Sequence, residues 1–214
     1  MRIKTQTQPA QFIPKRPEDF IGYAGSVAKV LAAKAATVKD DRHGTLKYIL
    51  TGEPGIGKTR LAEFFAECLT GENVVDGQSF HVTSINGRMV DMDRLRKWRE
   101  EGRFIPSCWN VKIINEIDTV AQDKEDALLS YLDELPGKTA VIGTANHKVK
   151  ELTPRFQSRL QSFHVKPPTE DEIKSLVTRW TRNPNDLRDI LLGCGGNVRA
   201  ALLDTQSILD ARLA

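Results

Sequence analysis

The stretch GEPGIGKT, residues 52–59, follows the β-rich run LKYILTG (46–52) and precedes KTRLAEFFAECL (58–69), whose apolar residues recur at helical spacing. Its pattern of glycine, lysine and threonine between a strand and a helix is that of a phosphate-binding loop. Gly55 and Gly57 allow successive backbone N–H groups to turn inward, and the start of the next helix adds partial positive charge. The segment therefore predicts a site for the phosphates of a nucleotide.

The predicted nucleotide contacts are the loop itself and the residue after it. They are Gly52, Glu53, Pro54, Gly55, Ile56, Gly57, Lys58, Thr59 and Arg60. We expect Lys58 to reach the β- and γ-phosphates and the Thr59 hydroxyl to bind Mg²⁺, so ATP and Mg²⁺ are the predicted cofactors.

Strand-like and helical segments alternate along the rest of the first 166 residues, which predicts an α/β fold with a parallel sheet and helices on both faces. Strand patterns lie at 79–85, 109–115, 138–146 and 161–168, and helical patterns at about 25–37, 90–102 (ended by Gly102) and 123–137. After the two prolines at 167 and 168, three helices are predicted at about 169–180, 184–193 and 196–212. We predict an α/β domain over 1–166, beginning with an extended polar arm (1–19), and a helical lid over 167–214.

The apolar run VKIINEID (111–118) ends in polar residues. We expect it to form a strand beside that of the phosphate loop, so that Asn115 and Glu116 reach the same edge of the sheet. Glu116 is then the candidate general base for the water that attacks the γ-phosphate. Asn146 and Arg199 are candidates to hold that water and to contact the nucleotide from the last helix. Taken singly, they would be a turn residue and a solvated charge.

The order of these motifs resembles that of AAA+ ATPases, and within them the clamp-loader group of replication factor C and the gamma and delta-prime subunits of DNA polymerase III. The matching segments are PEDFIG (17–22, the box beside the adenine), GEPGIGKT (Walker A), IINEID (113–118, Walker B), GTAN (143–146, sensor 1), LTPRFQSRLQSF (152–163, the arginine-finger segment) and GGNVRAAL (195–202, sensor 2).

The resemblance implies a role for each matched residue. Phe20 and Ile21 would lie beside the adenine, Thr59 and Asn115 would hold the metal, Glu116 would act as base, and Asn146 and Arg199 would be sensors 1 and 2. Arg159 would act as a finger on the ATP of a neighbouring subunit in a homo- or hetero-oligomeric ring, with Arg155 as the rival finger. The implied partners are DNA and a DNA-bound protein such as a sliding clamp.

The sequence departs from the family pattern in three places. Asn115 stands where the family has aspartate, which keeps an oxygen acceptor but removes a charge, so we expect retained nucleotide binding and slow or unusually Mg²⁺-dependent hydrolysis. Leu160 replaces a cysteine of the finger segment. The chain ends at Ala214, directly after the lid, where clamp-loader subunits continue into a collar domain.

The formal net charge of +3 is too small to indicate a nucleic-acid partner by itself. The helical segment 90–103 and Arg88 before it do carry a basic cluster, from which Arg88, Arg94 and Lys97 are candidate DNA contacts. Because acidic residues are interleaved, a solvated helix face is the alternative. No apolar run or signal-peptide core indicates a membrane, and the three cysteines are scattered, so a soluble cytoplasmic protein is expected.

Three functions stay open at this stage. The first is a clamp-loader-like ATPase of DNA replication or repair. The second is another DNA motor or helicase-loader-type ATPase. The third is a weakly catalytic nucleotide switch or scaffold subunit that supplies Arg159 to an active partner.

Overall fold

A computed structural model describes residues 12–74, 76–104, 108–146 and 153–213. Its five strands are β1 (Thr45–Thr51), β2 (Val82–Asn86), β3 (Asn110–Asn115), β4 (Thr139–Ala145) and β5 (Gln161–His164). The helices are α1 (Gly22–Val38), α2 (Lys58–Thr70), α3 (Met92–Phe104), α4 (Gln122–Asp133), α5 (Pro154–Gln157), α6 (Glu170–Val177), α7 (Pro184–Cys194) and α8 (Val198–Leu213).

The strands form one parallel sheet in the order β2-β3-β4-β1-β5. Because all strands run the same way, their carboxyl ends meet at one edge of the sheet. The expectation that β3 lies beside β1 is wrong, since β4 is inserted between them. The edge is nevertheless shared: Thr51 pairs with Ala145, and Asn86 with Asn115.

Helices cover both faces of the sheet, which confirms the predicted fold class. On one face, α1 and α2 contribute side chains such as Leu31 and Phe65 to a core with the strands. On the other face, α3 and α4 contribute side chains such as Trp98 and Leu128. All seven residues of β4, the central strand, are buried, as expected for a strand covered on both sides.

The three helices predicted after the sheet are present and have a small core of their own, including Ile173, Ile190 and Ala201. The chain before α1 ties this lid to the sheet domain, because the Phe12 ring lies edge-on to Trp180 with centroids 4.5 Å apart. The division at residue 166 stays a prediction.

The local predictions need several corrections. The first eleven residues of the proposed arm lie outside the described residues. Its remainder is not simply extended, because Phe12 is buried and Pro17–Asp19 form a 3-10 turn. The helix expected to end at Gly102 continues to Phe104. A Cβ at Gly102 would lie 2.6 Å from Pro136, so this glycine allows close packing rather than ending the helix.

Two further boundaries shift. The strand pattern from Ser79 becomes a strand only at Val82, because the Ser79 N–H donates to the Val82 carbonyl in a turn. Helix α1 begins at Gly22, three residues earlier than predicted.

Candidate nucleotide-binding site

The loop at 52–57 connects β1 to α2 at the carboxyl edge of the sheet. Gly55 and Gly57 have φ values of +81° and +94°, which side-chain-bearing residues rarely adopt. Gly57 is the N-cap of α2, so the unpaired N–H groups of the helix start face the loop. This is the geometry of an anion site at a helix N-terminus.

The Lys58 side chain is buried under this loop. Its Nζ donates to the carbonyl oxygens of Gly52 and Glu53 at 2.9 and 2.7 Å. Burial lowers the pKa of Lys58 to about 8, and the charge of Asp118 opposes this shift while that of Arg199 reinforces it. An incoming phosphate would therefore replace neutral carbonyl partners with a charged one.

A second polar group joins three strand ends to α2. The Thr59 hydroxyl donates to Asn115 Oδ1 at 3.0 Å, and Thr144 donates to the same oxygen at 3.3 Å. Asn115 Nδ2 donates to the Ser84 hydroxyl at 2.8 Å, which fixes the amide with its oxygen toward Thr59. Hydroxyl and amide oxygens are hard donors that fit Mg²⁺, which keeps several of its waters and takes the rest of its ligands from phosphates.

Glu116 follows directly, in a left-handed conformation with φ 53° and ψ 51°. Such a backbone costs about 1–2 kcal/mol for a residue with a side chain and is concentrated at functional sites. Its carboxylate accepts a hydrogen bond from Asn86 Nδ2 at 2.9 Å, and its N–H donates to Thr144 at 3.2 Å. The candidate base is therefore held in one orientation.

Asn86, Ser84 and Thr144 are residues of this site that the sequence reasoning missed. Asn86 is the last residue of β2, and the run ending at Asn86 carried the same signal as VKIIN: a strand that stops at an amide. The sequence therefore indicated that Asn86 could belong to the site. It could not identify Glu116 as its partner, because the strand order was not known.

The start of α8 and the residues before it contact the phosphate loop. The Arg199 N–H donates to the Gly55 carbonyl at 3.1 Å, and the Asn197 side chain caps α8 by accepting from Ala200 N at 3.1 Å. A Cβ at Gly55 would lie 2.1 Å from Asn197 Oδ1, so loop and lid are in direct contact. Arg199 and Asn146 both line the cleft beside the loop.

The cleft has a volume of about 260 Å³ and one largely apolar wall. That wall contains Phe12, Phe20, Ile21, Ala24, Leu176 and Leu202. An apolar wall next to a phosphate loop suits a planar base. Phe20 and Ile21, the predicted adenine contacts, are part of this wall, and their role stays a prediction.

The Arg60 side chain lines the cleft and is bound to other protein groups. Its guanidinium donates to Glu67 Oε2 at 2.7 Å and to the Pro14 carbonyl at 2.7 Å. Arg60 thereby fixes the segment before α1 onto α2, and its contact with a nucleotide stays a prediction.

The two candidate finger arginines lie outside this cleft. Arg159 donates to both carboxylate oxygens of Asp133, with Nε–Oδ1 and Nη2–Oδ2 distances of 2.8 Å. Arg155 pairs with Asp126 on an exposed part of the surface. Arg159 precedes β5, at the opposite end of the strand from the phosphate loop, so the structure does not bring it to its own nucleotide site.

The candidate DNA contacts share one surface only in part. Arg88 and Lys97 are exposed, whereas Arg94 is half-buried. Lys97 lies 4.0 Å from Glu101, a long ion pair that leaves its charge largely available to solvent. The basic cluster is thus partly neutralised by its own helix.

Comparison with known proteins agrees with this geometry. The model of the ATPase family associated with various cellular activities (AAA) matches residues 48–168, which include every strand from β2 to β5 and more than half of β1. The chain belongs to this family.

The relatives support the predicted group. The chain is 24% identical to the replication factor C large subunit of Archaeoglobus fulgidus over 94% of its own length and 44% of that protein. It is 25% identical to the replication-associated recombination protein A of Escherichia coli K12 over 77% of its length and 35% of that protein. The chain therefore spans less than half the length of these curated relatives.

Among solved structures, the fold is similar to that of Thermotoga maritima RuvB. The structure of the RuvB Holliday junction branch migration motor has a TM-score of 0.70 at 22% identity and covers 93% of this chain and 65% of that one. A variant of the same protein has a TM-score of 0.71, also at 22% identity, over 93% of this chain and 65% of that one. Within the described residues, no helix has the length and apolar character needed to cross a membrane.

Proposed function

We propose that this AAA chain binds ATP with Mg²⁺ in the cleft, hydrolyses it, and acts in the cytoplasm as a clamp-loader-like subunit of DNA replication or repair. The observation that supports this most is the convergence at one sheet edge of Lys58, the Thr59–Asn115 pair and the Asn86–Glu116 pair. These residues come from the start of α2 and from the ends of β2 and β3, and they carry the groups that ATP hydrolysis needs.

The chain's own residues divide the work. The loop N–H groups and Lys58 bind the phosphates, Glu116 accepts a proton from the attacking water, and Asn146 orients that water. Arg199 contributes positive charge from the lid. Thr59 and Asn115 would hold Mg²⁺ beside the phosphates, where the ion would offset their negative charge.

Asn115 makes the proposed hydrolysis slow at ordinary Mg²⁺. Its amide lacks the charge of a carboxylate, so Mg²⁺ would be bound mainly by the phosphates and by the dipoles of hydroxyl and amide groups. Nucleotide binding depends mainly on the loop and on Lys58, and is retained.

Binding and turnover of ATP by two variants test this proposal. Lys58→Ala is expected to abolish both, because it removes the cation at the phosphates. Glu116→Gln is expected to keep binding and to lower turnover by about 10²–10⁴-fold, the usual contribution of a general base. Lys29→Ala, on the exposed surface of α1, is the control. If Lys58→Ala binds and hydrolyses ATP as the control does, the proposal is wrong.

We further propose that turnover requires a neighbouring subunit, which supplies Arg159 in trans. Each of Lys58→Ala and Arg159→Ala is then inactive alone. Mixing the two restores activity, because Lys58→Ala subunits still present Arg159 to the intact clefts of the other variant. Native mass spectrometry with ATP measures the assembly. No recovery on mixing, at a ratio where mixed assemblies are observed, contradicts the finger.

A second candidate is a different DNA-acting ATPase, favoured by the fold likeness to RuvB and by the relative named for recombination. Stimulation of turnover by primed DNA plus a sliding clamp supports the clamp-loader function. Stimulation by branched DNA without a clamp supports a different DNA-acting ATPase. A salt-dependent DNA affinity that falls in Arg88→Ala/Lys97→Ala supports the proposed basic contacts. If turnover stays negligible alone but Arg159 activates a partner's ATPase, the chain is a switch or scaffold subunit, which Asn115 favours.

A further inference from the structure

A second cavity, of about 480 Å³, lies away from the nucleotide cleft, beside the start of β1 and the turn before β5. Its lining includes Lys34 of α1, Lys47 of β1 and Arg159. Among the described residues of this lining, the three charged ones are all cations. The polar residues Thr45, Ser158 and Gln161 complete the part of the wall that can donate hydrogen bonds.

The sheet topology creates this cavity. Pairing between β1 and β5 begins at Tyr48↔Gln161, so β5 does not extend along the first three residues of β1. The turn that carries Ser158 and Arg159 lies over this gap instead. The cavity is thus a feature of the amino edge of the sheet, whereas the phosphate loop belongs to the carboxyl edge.

The charges around Arg159 are arranged for an anion. Asp133 accepts from the Arg159 Nε and Nη2, and these hydrogen bonds are the main reason that the pKa of Asp133 lies below its usual value. The charge of Lys47 lowers the same pKa, so Lys47 lies near this pair. Within the part of the chain that the structure describes, the cavity lining and Asp133 together hold three cations and one carboxylate, so their net charge is positive.

The chain's own nucleotide cannot supply the anion. From Leu46, beside the cavity, to Thr51, before the phosphate loop, the strand runs five residues, or about 17 Å at 3.3 Å per residue. A nucleotide phosphate at this cavity would therefore come from outside the subunit. The ATP of a neighbour, which the proposed function already directs to Arg159, has the required concentrated negative charge.

We propose that the cavity is a trans phosphate site in which Lys34 and Lys47 flank Arg159 at the γ-phosphate of ATP bound by the neighbouring subunit. Asp133 is a positioning residue that holds the guanidinium in a fixed plane through its two oxygens. Arg159 is already part-neutralised by Asp133, and the lysines supply the remaining positive charge. This inference rests on the proposed function and extends it to residues that its motifs do not include.

The test places each substitution on a chosen subunit of a mixed assembly. Lys58→Ala subunits cannot use ATP but donate their cavity, and Arg159→Ala subunits hold ATP but donate no finger. Lys47→Met added to the Lys58→Ala chain is expected to lower the recovered kcat about tenfold, less than the roughly 10²–10³-fold cost of removing a donor in direct contact with the transition state, because Lys47 flanks the finger. The same change on the Arg159→Ala chain has no effect, because every active cleft in the mixture receives its finger from a Lys58→Ala chain.

Matched variants separate charge from folding. Lys34→Met on the Lys58→Ala chain lowers kcat in the same way, Lys47→Arg restores it, and Lys29→Met, on the exposed surface of α1 outside the cavity, leaves it unchanged. Asp133→Asn lowers kcat while Asp126→Asn does not. The affinity of each single variant for a fluorescent ATP analogue stays that of the parent, because the cavity does not touch its own cleft.

The outcomes distinguish this inference from the proposal beneath it. If Arg159→Ala is inactive and is rescued by mixing, but Lys34→Met and Lys47→Met match Lys29→Met, the finger stands and the lysine site is overturned. If Arg159→Ala retains full turnover while Lys58→Ala loses it, the trans finger fails and ATP hydrolysis stands. Loss of DNA affinity with unchanged DNA-free turnover in the lysine variants also overturns the site, since it assigns the cavity to nucleic-acid phosphate.

Discussion

Asn115→Asp adds one negative charge at the oxygen that accepts from Thr59 and Thr144, with almost no change of shape. Both of these hydrogen bonds survive, since a carboxylate oxygen accepts as an amide oxygen does. The bond from Nδ2 to Ser84 reverses, because the hydroxyl can rotate and donate to the new oxygen. The substitution therefore isolates the charge itself.

The size of the effect follows from electrostatics. Two unit charges 4 Å apart interact by about 4 kcal/mol at an effective dielectric constant of 20, so a divalent ion that keeps one water between itself and the carboxylate would gain about twice that. Desolvation of the half-buried carboxylate and repulsion from Glu116 and the phosphates offset most of this gain. Changes in groups that contact a metal through its ligands typically alter affinity about 10–100-fold, and we expect that range here.

The assay is the rate of ATP turnover as a function of free Mg²⁺ at saturating ATP. The half-maximal Mg²⁺ concentration is expected to fall about 10–100-fold in Asn115→Asp. ATP binding in the presence of EDTA is expected to weaken slightly, because the new charge repels the phosphates when no ion lies between them. Tighter Mg²⁺ dependence together with weaker Mg²⁺-free ATP binding indicates that the substitution acts on the metal.

Asn183→Asp is the matched control, since Asn183 caps α7 far from the cleft and aspartate caps a helix equally well. It makes the same chemical change without reaching the site. If the Mg²⁺ midpoint of Asn115→Asp moves less than about twofold from that of Asn183→Asp, the residue does not tune the metal. Equal strengthening of ATP binding with and without Mg²⁺ would refute the reasoning as well.

The remaining predictions concern the loop, the lid and the core. Gly55→Ala is expected to cost about 1–2 kcal/mol from its positive φ and to weaken ATP binding by displacing Asn197, measured by urea unfolding and by fluorescent nucleotide titration. Free Lys58 loses its proton above its pKa of about 8, whereas phosphate-bound Lys58 keeps it. The Kd for ATP is therefore expected to be flat from about pH 6 to 7.5 and to rise up to about tenfold per pH unit above pH 8. Lys58→Arg is expected to remove this pH dependence, and a Lys58→Arg profile like that of the parent refutes the prediction. The Lys112 side chain is 2% exposed and pairs at 2.7 Å with Glu101, which is 35% exposed. Glu101→Gln leaves a buried charge without its partner and is expected to lower the free energy of unfolding by about 3 kcal/mol, whereas Lys112→Met is expected to lower it by much less. Equal effects of the two variants in urea unfolding contradict this prediction.

Much of the candidate site could be predicted from the sequence because its signals are local. The phosphate loop is recognised from eight consecutive residues whose glycines need positive φ, and Glu116 from its place after an apolar run. The three lid helices follow from the change of pattern after Pro167. In each case the physics that shapes the segment acts within a few residues, so one stretch of sequence contains the information.

The parts that could not be predicted depend on contacts between distant segments. The place of β4 between β1 and β3 is a property of sheet topology, and it decides that Thr144 reaches Asn115. Lys112 interrupts an apolar strand, which suggests exposure, yet it is buried because α3 brings Glu101 over it. Gly102 looks like a helix stop until Pro136 is seen against it.

The nucleotide cleft and the cavity at Arg159 lie at different edges of the sheet, and this restricts how two copies of the chain could combine them. Lys58 and Glu116 lie at the carboxyl edge of the sheet, and Arg159 lies toward the amino edge, held by Asp133. In the proposed function the surface that donates Arg159 differs from the surface that receives it, so two copies joined through them would meet head to tail. Such heterologous contacts build rings or filaments rather than two-fold dimers. Every complete site would then belong to two subunits, and Arg159→Ala in one chain is expected to lower turnover in the next.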